Sequence, residues 1–318
     1  MAGDGGREPL EVVHRARDAA RETFAREVLR RARGLDARLL LVHEANTFTG
    51  FLPQAADIRL CRLEEGERRI LVVLNPRRRD PRASHPLPPL EARAICPLCD
   101  LPFSQLPLPL ELAGSRFIAA PSPAPYLPVP QCTLADARHR PQEPAGPEDF
   151  RELVAAMIAL LREAPQWIAG YNGVAAGASV VEHRHFHALR TDGEVDLPGL
   201  RPEATRRGLV DIRGSEASVL EGVCAAFRRW RASCGAEATE NLVLMREAAE
   251  WRALFVPRER RREQLAGLPE VRAGFMEAAL ATVILKRPRT IEAFEAGTLD
   301  FAFFARALDS IRPAVSLT

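Results

Sequence analysis

Asn172-Gly-Val-Ala-Ala-Gly-Ala-Ser-Val-Val-Glu-His183-Arg-His185-Phe-His187 is the stretch from which both the fold and the site can be argued. Its three histidines are spaced two residues apart. In a β-strand residues i, i+2 and i+4 share one face, whereas on a helix the middle residue would point away from the other two. Glycine, alanine and serine dominate the preceding residues, which lets a backbone come close to a ligand. The pattern predicts a strand with three aligned imidazoles and a loop suited to phosphate.

The composition is that of an ordinary globular protein. The 318 residues suffice for one large or two medium domains, and 47% are hydrophobic and 27% charged. A net charge of +2 and an aromatic content of 6% give no sign of nucleic-acid binding, and no apolar run approaches the ~20 residues of a membrane span. The six cysteines are too sparse for a disulfide scaffold, and the N-terminus does not lead into the apolar core of a secretory signal. We therefore expect a cytoplasmic protein that binds neither nucleic acid nor membranes.

Hydrophobic periodicity predicts the elements of the first half. Helices are predicted over Glu8–Gly34 and Glu148–Ala164, and strands over Leu39–Val42, Asp57–Leu63, Arg69–Asn75 and Gln166–Tyr171. The turn Glu64-Glu-Gly-Glu67 predicts a hairpin between the second and third of these strands.

A proline-rich segment runs from Asn75 to Pro147. Proline at this density removes amide donors and fixes φ, so a disordered linker is one interpretation. The apolar content of the segment, its Cys-x-x-Cys motif and the strand-like Arg116–Ala120 favour an ordered segment that wraps around the domain.

The pattern begins again after Leu197-Pro-Gly199. Strands are predicted over Leu209–Ile212, Asn241–Met245, Trp251–Pro257 and Gly274–Leu285, and helices over Ser215–Arg231 and Thr298–Ile311. This order of strands, helix and strands resembles the first half without its histidines, although no sequence repeat is visible. It suggests a duplicated fold, with the chemistry in residues 1–196 and a supporting surface in residues 197–318.

Cys96-Pro-Leu-Cys99 is a candidate metal knuckle. Two thiolates at this spacing can bind one tetrahedral zinc, which needs two further ligands. With His139 and His183 the motif becomes a Cys₂His₂ candidate. The alternative is a redox pair, which is weaker because that motif normally opens a helix, and here prolines surround the cysteines.

Asn75-Pro-Arg77-Arg-Arg79 follows directly after an apolar strand. An arginine fork at a strand end suits bidentate contact with phosphate, but an arginine run can also be a solvated face. The run from Arg258 to Arg262 is a similar feature, for which the solvated face is favoured.

Taken together, these motifs resemble those of the histidine-triad superfamily. They are, in order, Asn75-Pro-Arg77, Cys96-Pro-Leu-Cys99, His139-Arg-Pro-Gln142, Asn172-Gly173, Gly177-Ala-Ser179 and His183-Arg-His185-Phe-His187. Within the superfamily the match is to the branch of galactose-1-phosphate uridylyltransferase, diadenosine tetraphosphate phosphorylase and GDP-L-galactose phosphorylase. The resemblance covers residues 75 to 187 and fades after Arg190. It implies an α+β fold of two histidine-triad-like halves, each an antiparallel sheet with packed helices.

The resemblance implies an enzyme that works by covalent catalysis. His185 would attack the α-phosphorus of a dinucleoside polyphosphate or nucleotide sugar, and phosphate or a sugar phosphate would then accept the nucleotidyl group. His187 would steady or protonate the phosphate oxygens. The residues implied to bind substrate are Asn75, Arg77, Gln142, Asn172, Gly177, Ala178 and Ser179.

A structural zinc is also implied. In the uridylyltransferases the first triad histidine binds zinc together with the Cys-x-x-Cys pair and an upstream histidine. The matching positions are Cys96, Cys99, His139 and His183. Four protein ligands leave no open position for water, so the zinc would be structural. Superfamily relatives are often dimers, so a homodimer is a further expectation.

Two departures from the family pattern keep alternatives open. The third triad position is His187, where the transferases and phosphorylases typically carry glutamine and the small hydrolases carry histidine. Ser179 also lies one residue further from His183 than in the uridylyltransferases. Hydrolysis, with water as the acceptor, is therefore the first alternative, and a nucleotide-binding protein without turnover is the second.

Overall fold

A computed structural model describes residues 19, 22–49, 58–76, 96–99, 106–122, 125–191, 195–200 and 208–313. The strands are β1 (Arg59–Glu65), β2 (Arg68–Leu74), β3 (Leu108–Leu112), β4 (Ser115–Pro121), β5 (Gln131–Asp136), β6 (Trp167–Asn172), β7 (His185–Arg190), β8 (Val210–Gly214), β9 (Ala238–Glu247), β10 (Glu250–Glu259), β11 (Gln264–Leu265), β12 (Leu268–Arg272) and β13 (Thr282–Leu285). The helices are α1 (Leu35–Thr49), α2 (Pro147–Glu163), α3 (Glu216–Cys234), α4 (Phe275–Ala278), α5 (Pro288–Glu295) and α6 (Phe301–Ser310). Residues 22–31 are also helical.

An eight-stranded antiparallel sheet with the order β3-β4-β5-β7-β6-β9-β10-β8 forms the centre of the fold. The unit β5-α2-β6-β7 is followed by β8-α3-β9-β10, in which the strands pair in the same way. The two units meet where β6 pairs with β9, and Asn172 lies opposite Asn241. The predicted α+β class, with antiparallel strands and packed helices, is confirmed, and the two halves contribute to one continuous sheet.

Helices cover one face of this sheet. The buried apolar residues of α1, α2 and α3 form one cluster there, in which the rings of Phe150 and Phe227 stack with their centroids 4.1 Å apart. The small sheet β1-β2-β13 and helix α4 pack against the opposite face. Phe186 and Ala188 of β7 join the helical core, whereas Leu189 joins the opposite core. The predicted alternation is confirmed for His185 and His187, which lie on the face away from the helices. His183 lies in a bend before β7, so the predicted strand contains two of the three histidines.

Most predicted elements are present where the structure describes them. The hairpin β1-β2, helix α2 and strands β4, β6, β8, β9 and β10 match their predictions, and α3 begins after the predicted start Ser215, which caps it. The proline-rich segment contains strands β3 to β5, so its described part is ordered as expected. Of the predicted helix Glu8–Gly34, residues 8–18, 20 and 21 lie outside the described residues.

Two predicted strands are wrong. Leu39–Val42 lies within α1, where Leu35, Leu39 and Val42 are buried at helical spacing. A short apolar run does not by itself distinguish a strand from a buried helix. Of Gly274–Leu285, only Thr282–Leu285 is a strand, because helix α4 occupies the beginning of that segment.

The small sheet connects the two ends of the chain. β2 pairs in parallel with β13, with Leu71 opposite Thr282, so the sheet contains strands from both sides of the predicted boundary at 196/197. The division into residues 1–196 and 197–318 stays a prediction. None of the described helices is long and apolar enough to cross a membrane.

Candidate active site

The four predicted zinc ligands lie together. Their ligand atoms, the sulfurs of Cys96 and Cys99 and one ring nitrogen each of His139 and His183, are within 4.8 Å of one another. Sulfur-to-nitrogen distances are 3.2 Å from Cys99 to His139 Nδ1 and 3.4 Å from either cysteine to His183 Nδ1. A tetrahedral zinc separates sulfur and nitrogen ligands by about 3.6 Å. The four residues therefore fit a single metal ion of this kind.

A hydrogen bond prepares His183 for a metal. Its Nε2 lies 2.7 Å from the carbonyl oxygen of Asp136, which can only accept, so Nε2 carries the proton and donates. Nδ1 is then unprotonated and directed towards the two sulfurs. A second hydrogen bond, from the amide of Cys99 to the carbonyl of Cys96 at 3.0 Å, closes the turn that brings the cysteines together. Such support of a metal-binding imidazole by a carbonyl fixes its tautomer and orientation.

Arg184 alternates with the histidines in sequence and immediately precedes β7. It is fully buried, and its Nη2 and Nε donate to the Asp136 carboxylate at 2.7 and 3.1 Å. Its Nη1 donates to Asp149 at 2.5 Å. Arg140 binds the same Asp136 carboxylate and also Glu152. A buried ion network therefore lies directly behind the histidine strand.

The imidazole of His185 is oriented by a hydrogen bond to the backbone. Its Nδ1 lies 2.9 Å from the carbonyl oxygen of His183, so Nδ1 carries the proton and Nε2 carries the lone pair. Only 2% of its surface is exposed, and burial lowers the pKa of His185 to about 4. The imidazole is consequently neutral at pH 7, with its nucleophilic nitrogen set by the fold.

Gln142, which the resemblance assigns to substrate binding, makes its hydrogen bonds in the structure to the backbone. Its Oε1 accepts from the amide of His185 at 2.7 Å, and its Nε2 donates to the carbonyls of Asn172 and His185 at 2.7 and 3.0 Å. Both donor hydrogens are thus used, and the side chain is fully buried. Gln142 fixes the backbone of β7 against the end of β6.

His187 lies between two hydroxyl groups. Its Nε2 is 3.3 Å from the hydroxyl of Tyr126, and its Nδ1 is 3.3 Å from the hydroxyl of Thr133. Its ring packs edge-on against Tyr126 at 5.4 Å and near Phe275 at 6.0 Å. Because a hydroxyl can donate or accept, either ring nitrogen of His187 can carry the proton without losing its partner.

The loop after β6 is held by the second half of the chain. The amide of Gly173 donates to the carbonyl of Glu240 at 2.8 Å, and the Thr239 hydroxyl donates to the carbonyl of Val174 at 2.6 Å. Gly177 has a φ of +93° and lies against the backbone of Gly274, where a Cβ would come within 2.7 Å of the amide nitrogen. The glycine is required by both its conformation and this close approach.

The remaining members of this loop differ in exposure. Ala178 is 2% exposed and packs inside, whereas Ser179 is exposed. The resemblance implied that both Ala178 and Ser179 bind substrate. The structure gives Ser179 access to solvent at the approach to the metal ligand His183, four residues further along the chain.

A cleft opens beside these elements, with an empty volume of about 400 Å³ including the part open to solvent. The residues that line it are Tyr126, Asn172, Gly177, Val271, Arg272, Gly274, Phe275, Met276, Glu277, Ile284 and Lys286. Lys286 is the only lysine of the chain. The ring of His187 packs against two of the lining residues, Tyr126 and Phe275. The backbone amide of His185 donates to Gln142, whose side chain donates to the carbonyl of the lining residue Asn172.

Asn75 ends β2 next to this cleft. Its amide donates to the carbonyl of Leu285, the residue before Lys286, at 2.8 Å. Its side chain donates to the carbonyl of Pro125 at 2.8 Å and is 2% exposed. Asn75 therefore supports the cleft wall at Tyr126, the residue that follows Pro125. Arg77 lies outside the described residues.

Several residues of the site were missed by the sequence analysis. Tyr126 and Lys286 line the cleft, Arg184 anchors the histidine strand, and Asn241 contacts the loop after β6. The alternation of Arg184 and Phe186 with the three histidines could have indicated that Arg184 is buried and needs carboxylate partners. The other three depend on contacts between distant segments, for which the sequence carries no local signal.

Comparison with known proteins gives the fold an independent reference. No protein-family model matches the chain, and no curated protein matches it in sequence. The solved structures that match include crystal structures of yeast Ap4A phosphorylase Apa2, each 13% identical to this chain. The structure of the enzyme itself has a TM-score of 0.61 over 88% of this chain and 98% of that one. Its complex with AMP has a TM-score of 0.59 over 87% and 96% of the two chains, and its complex with Ap4A has a TM-score of 0.56 over 87% and 97%. The chain therefore has the fold of yeast Ap4A phosphorylase, which is the kind of fold that the resemblance in the sequence implied.

Proposed function

We propose that the protein is a nucleotidyltransferase or phosphorylase that forms a nucleotidyl-histidine intermediate on His185. The observation that carries this proposal is the 2.9 Å contact between His185 Nδ1 and the carbonyl oxygen of His183. It leaves Nε2 as an unprotonated nitrogen on a neutral imidazole, which is the form needed for nucleophilic attack. The enzyme class is supported by the shared fold with Ap4A phosphorylase.

The proposed reaction has two displacements. In the first, Nε2 of His185 attacks the α-phosphorus, a P–N bond forms, and the P–O bond to the remaining phosphate chain breaks. In the second, an oxygen of inorganic phosphate or a sugar phosphate attacks the same phosphorus, the P–N bond breaks, and neutral His185 is restored. A dinucleoside polyphosphate is the favoured donor, because the matching structures include a complex of that phosphorylase with Ap4A. A nucleotide sugar is the second possibility.

The phosphate chain would bind in the cleft beside Asn172, Gly177 and Lys286. Lys286 supplies a positive charge at the cleft wall, and the backbone of the loop after β6 supplies amide donors. We assign Asn75 and Gln142 to holding the wall and strand, and Asn172, Gly177, Ala178 and Ser179 to the substrate side. The expected phosphate contact of Arg77 stays a prediction.

Zinc is proposed as a structural cofactor held by Cys96, Cys99, His139 and His183. The thiolate and imidazole donor set and the spacing of its atoms suit tetrahedral Zn²⁺. When bound, the ion would cross-link the cysteine turn to the beginning of the histidine strand. With four protein ligands it has no position for a reacting water, so its contribution is to hold His183, whose carbonyl orients His185.

Hydrolysis is the second candidate function, and His187 is the observation that favours it. A histidine between the hydroxyls of Tyr126 and Thr133 can take a proton from water and deliver one to a leaving oxygen. Glutamine at this position would only donate a hydrogen bond. The phosphate requirement of the reaction separates the two functions.

The test uses Ap4A labelled at the α-phosphates, with wild-type protein, His185→Gly and His43→Asn. His43 lies on helix α1, so its variant is a control for loss of a histidine outside the site. We expect an acid-labile nucleotidyl-protein with the wild type and with His43→Asn, and none with His185→Gly. Adding phosphate should discharge it to ADP; discharge to AMP without phosphate would identify a hydrolase. An adduct that forms equally on His185→Gly would contradict the mechanism, and nucleotide binding without turnover would identify a binding protein.

A further inference from the structure

Arg258, on β10 of the second half, is a buried cation whose hydrogen bonds go to neutral groups. Its Nη1 donates to Asn241 Oδ1 at 2.9 Å and to the carbonyl of Ala273 at 2.7 Å, and its Nη2 donates to the carbonyl of Arg262 at 2.7 Å. Its side chain is fully buried, and its Nε has no hydrogen-bond partner among the described residues. Burial lowers the pKa of Arg258 to about 10, so the guanidinium is still charged at neutral pH.

Arg252, on the same strand, shows how this chain usually stabilises a buried arginine. It is 2% exposed and donates to the carboxylates of Asp211 and Glu247 at 2.8 and 2.9 Å. A buried charge without such pairing costs free energy of folding. Arg258 donates to neutral oxygens instead, while the nearby charges of Glu277 and Glu263 raise its pKa against the effect of burial. The groups that its hydrogen bonds orient therefore indicate its role.

A relay of amide groups leads from Arg258 to the cleft. The guanidinium has only donors, so it fixes Oδ1 of Asn241 towards itself and turns Nδ2 of Asn241 the other way. That Nδ2 donates to Oδ1 of Asn172 at 2.9 Å and to the carbonyl of Ala176 at 2.6 Å. The amide of Phe275 donates to the same Oδ1 of Asn172 at 2.7 Å. With its oxygen held by two donors, Asn172 directs its own amide nitrogen away from them, and this residue lines the cleft.

The relay crosses the junction of the two halves. Asn172 and Asn241 face each other where β6 pairs with β9. Arg258 follows Leu254 and Val256 at the alternating spacing of β10, and these two residues belong to the core on the face of the sheet that carries His185 and His187 in β7. The second half thus has an arginine on the face where the first half has its histidines.

We propose that Arg258 is a positioning residue of the nucleotide site: through Asn241 it sets the amide of Asn172, and the loop at Ala176, for contact with a nucleotide phosphate. This inference rests on the proposed function of the cleft. It gives the second half a role in the reaction, because the orientation of a first-half side chain is determined by a donor from the second half. Without that donor, either amide can rotate and present an oxygen to the phosphate.

The test compares Arg258→Met and Arg258→Lys with Arg252→Met. All three change a buried arginine of β10, but only Arg258 leads to the cleft. AMP serves as the probe, with its affinity measured by calorimetry, and labelled Ap4A reports formation of the adduct on His185. Urea unfolding and zinc content are measured on the same samples.

We expect Arg258→Met to weaken AMP binding and slow adduct formation by about 10- to 100-fold, because a small misplacement of a binding group has effects of that order. Arg258→Lys, which keeps the charge but not the fork, should lie between it and the wild type. Arg252→Met should lower the unfolding midpoint but leave AMP affinity within about twofold. Should Arg258→Met fail to fold, the comparison rests on Arg258→Lys.

Two results would overturn the inference alone: wild-type affinity in a folded Arg258 variant, or an equal loss of affinity in Arg252→Met, which would make the effect merely structural. A wild-type protein that neither binds AMP nor forms the adduct would instead overturn the proposed function, and the inference with it.

Discussion

Replacing Arg184 by methionine tests how the histidine strand is anchored. The guanidinium makes charge-assisted hydrogen bonds to Asp136 and Asp149, and both Arg184 and the Asp136 side chain are at most 1% exposed. Breaking a buried ion pair by removing one partner typically costs about 3–5 kcal/mol. Here Asp136 keeps the guanidinium of Arg140 and the amide of Arg138, so its charge does not become unpaired. Methionine also fills much of the vacated space. We therefore expect a loss near the lower limit, about 3 kcal/mol of unfolding free energy.

Arg140→Met is the matched control. Arg140 binds the same Asp136 carboxylate, but its side chain is 23% exposed, so water can replace part of what is lost. Its removal should cost about 1 kcal/mol. The comparison separates the buried member of the network from the partly exposed one with the same substitution and a shared partner.

The network also leads to the metal site. The carbonyl of Asp136 accepts from Nε2 of His183, and the amide of Asp136 donates to the carbonyl of Arg184 at 2.9 Å. Loosening this segment should weaken zinc binding by about 10- to 100-fold, the usual effect of disturbing the groups that support a ligand. Arg140→Met should weaken it less.

The assay is urea unfolding of zinc-loaded protein followed by circular dichroism, with zinc affinity measured by competition with a chelator. A loss below about 1 kcal/mol for Arg184→Met, or equal losses for the two variants, would refute the reasoning. The first result would mean that the ion network contributes little beyond solvated pairs. The second would mean that the burial of Arg184 makes it no more important than the partly exposed Arg140.

Three further outcomes are expected. Wild-type protein should contain about one zinc per chain, and Cys96→Ser should lose it while Cys132→Ser, which changes a buried cysteine outside the cluster, should keep it; metal analysis that finds no difference would contradict the assignment. His187→Gln should reduce release of AMP in water by tenfold or more while phosphorolysis falls much less, measured by chromatography of the products; equal losses would argue against a role of His187 in activating water. Burial raises the pKa of Glu240 to about 7 from an unfolded value near 4.5, so folding takes up a proton between these pH values. The free energy of unfolding of the wild type should therefore fall by up to about 3 kcal/mol relative to that of Glu240→Gln as the pH rises from 4.5 to 7. Urea midpoints of the two proteins that differ by the same amount at pH 5 and pH 8 would contradict this.

Much of the fold could be predicted because its signals are local. The stripe of apolar residues in α2, the alternation in β7 and the turn between β1 and β2 each lie within one element. Leu39–Val42 failed for the same reason, since four consecutive apolar residues fit a strand and a buried helix equally well. The contacts of this helix are tertiary: Asp36 in the first turn of α1 accepts from the indole of Trp167, 131 positions along the chain, and such a contact has no local signal in the sequence.

The site could be predicted only as far as its motifs extend. The spacing of Cys96 and Cys99 and the alternation of the three histidines are local patterns, so the sequence was enough to select these residues, although only His185 and His187 lie on the strand. Asn241 has no motif, and the solvated face favoured for the run from Arg258 to Arg262 is wrong for Arg258, which is fully buried. The positions of both residues follow from the pairing of β6 with β9 and of β9 with β10. Gln142 shows the converse: it belongs to a recognisable motif, but the hydrogen bonds of its side chain to the backbone of Asn172 and His185 could not be read from that motif.

The surroundings of His187 bear on the choice of acceptor. Water has to lose a proton to attack phosphorus, whereas inorganic phosphate at neutral pH already carries a nucleophilic oxyanion. A base beside the nucleotidyl group therefore helps water much more than it helps phosphate. Tyr126 and Thr133 give both nitrogens of His187 a partner that can accept or donate, so proton transfer through the ring leaves neither nitrogen unpaired. The same fold can thus support phosphorolysis with glutamine at this position and admit hydrolysis with histidine, and the selective loss expected for His187→Gln distinguishes the two.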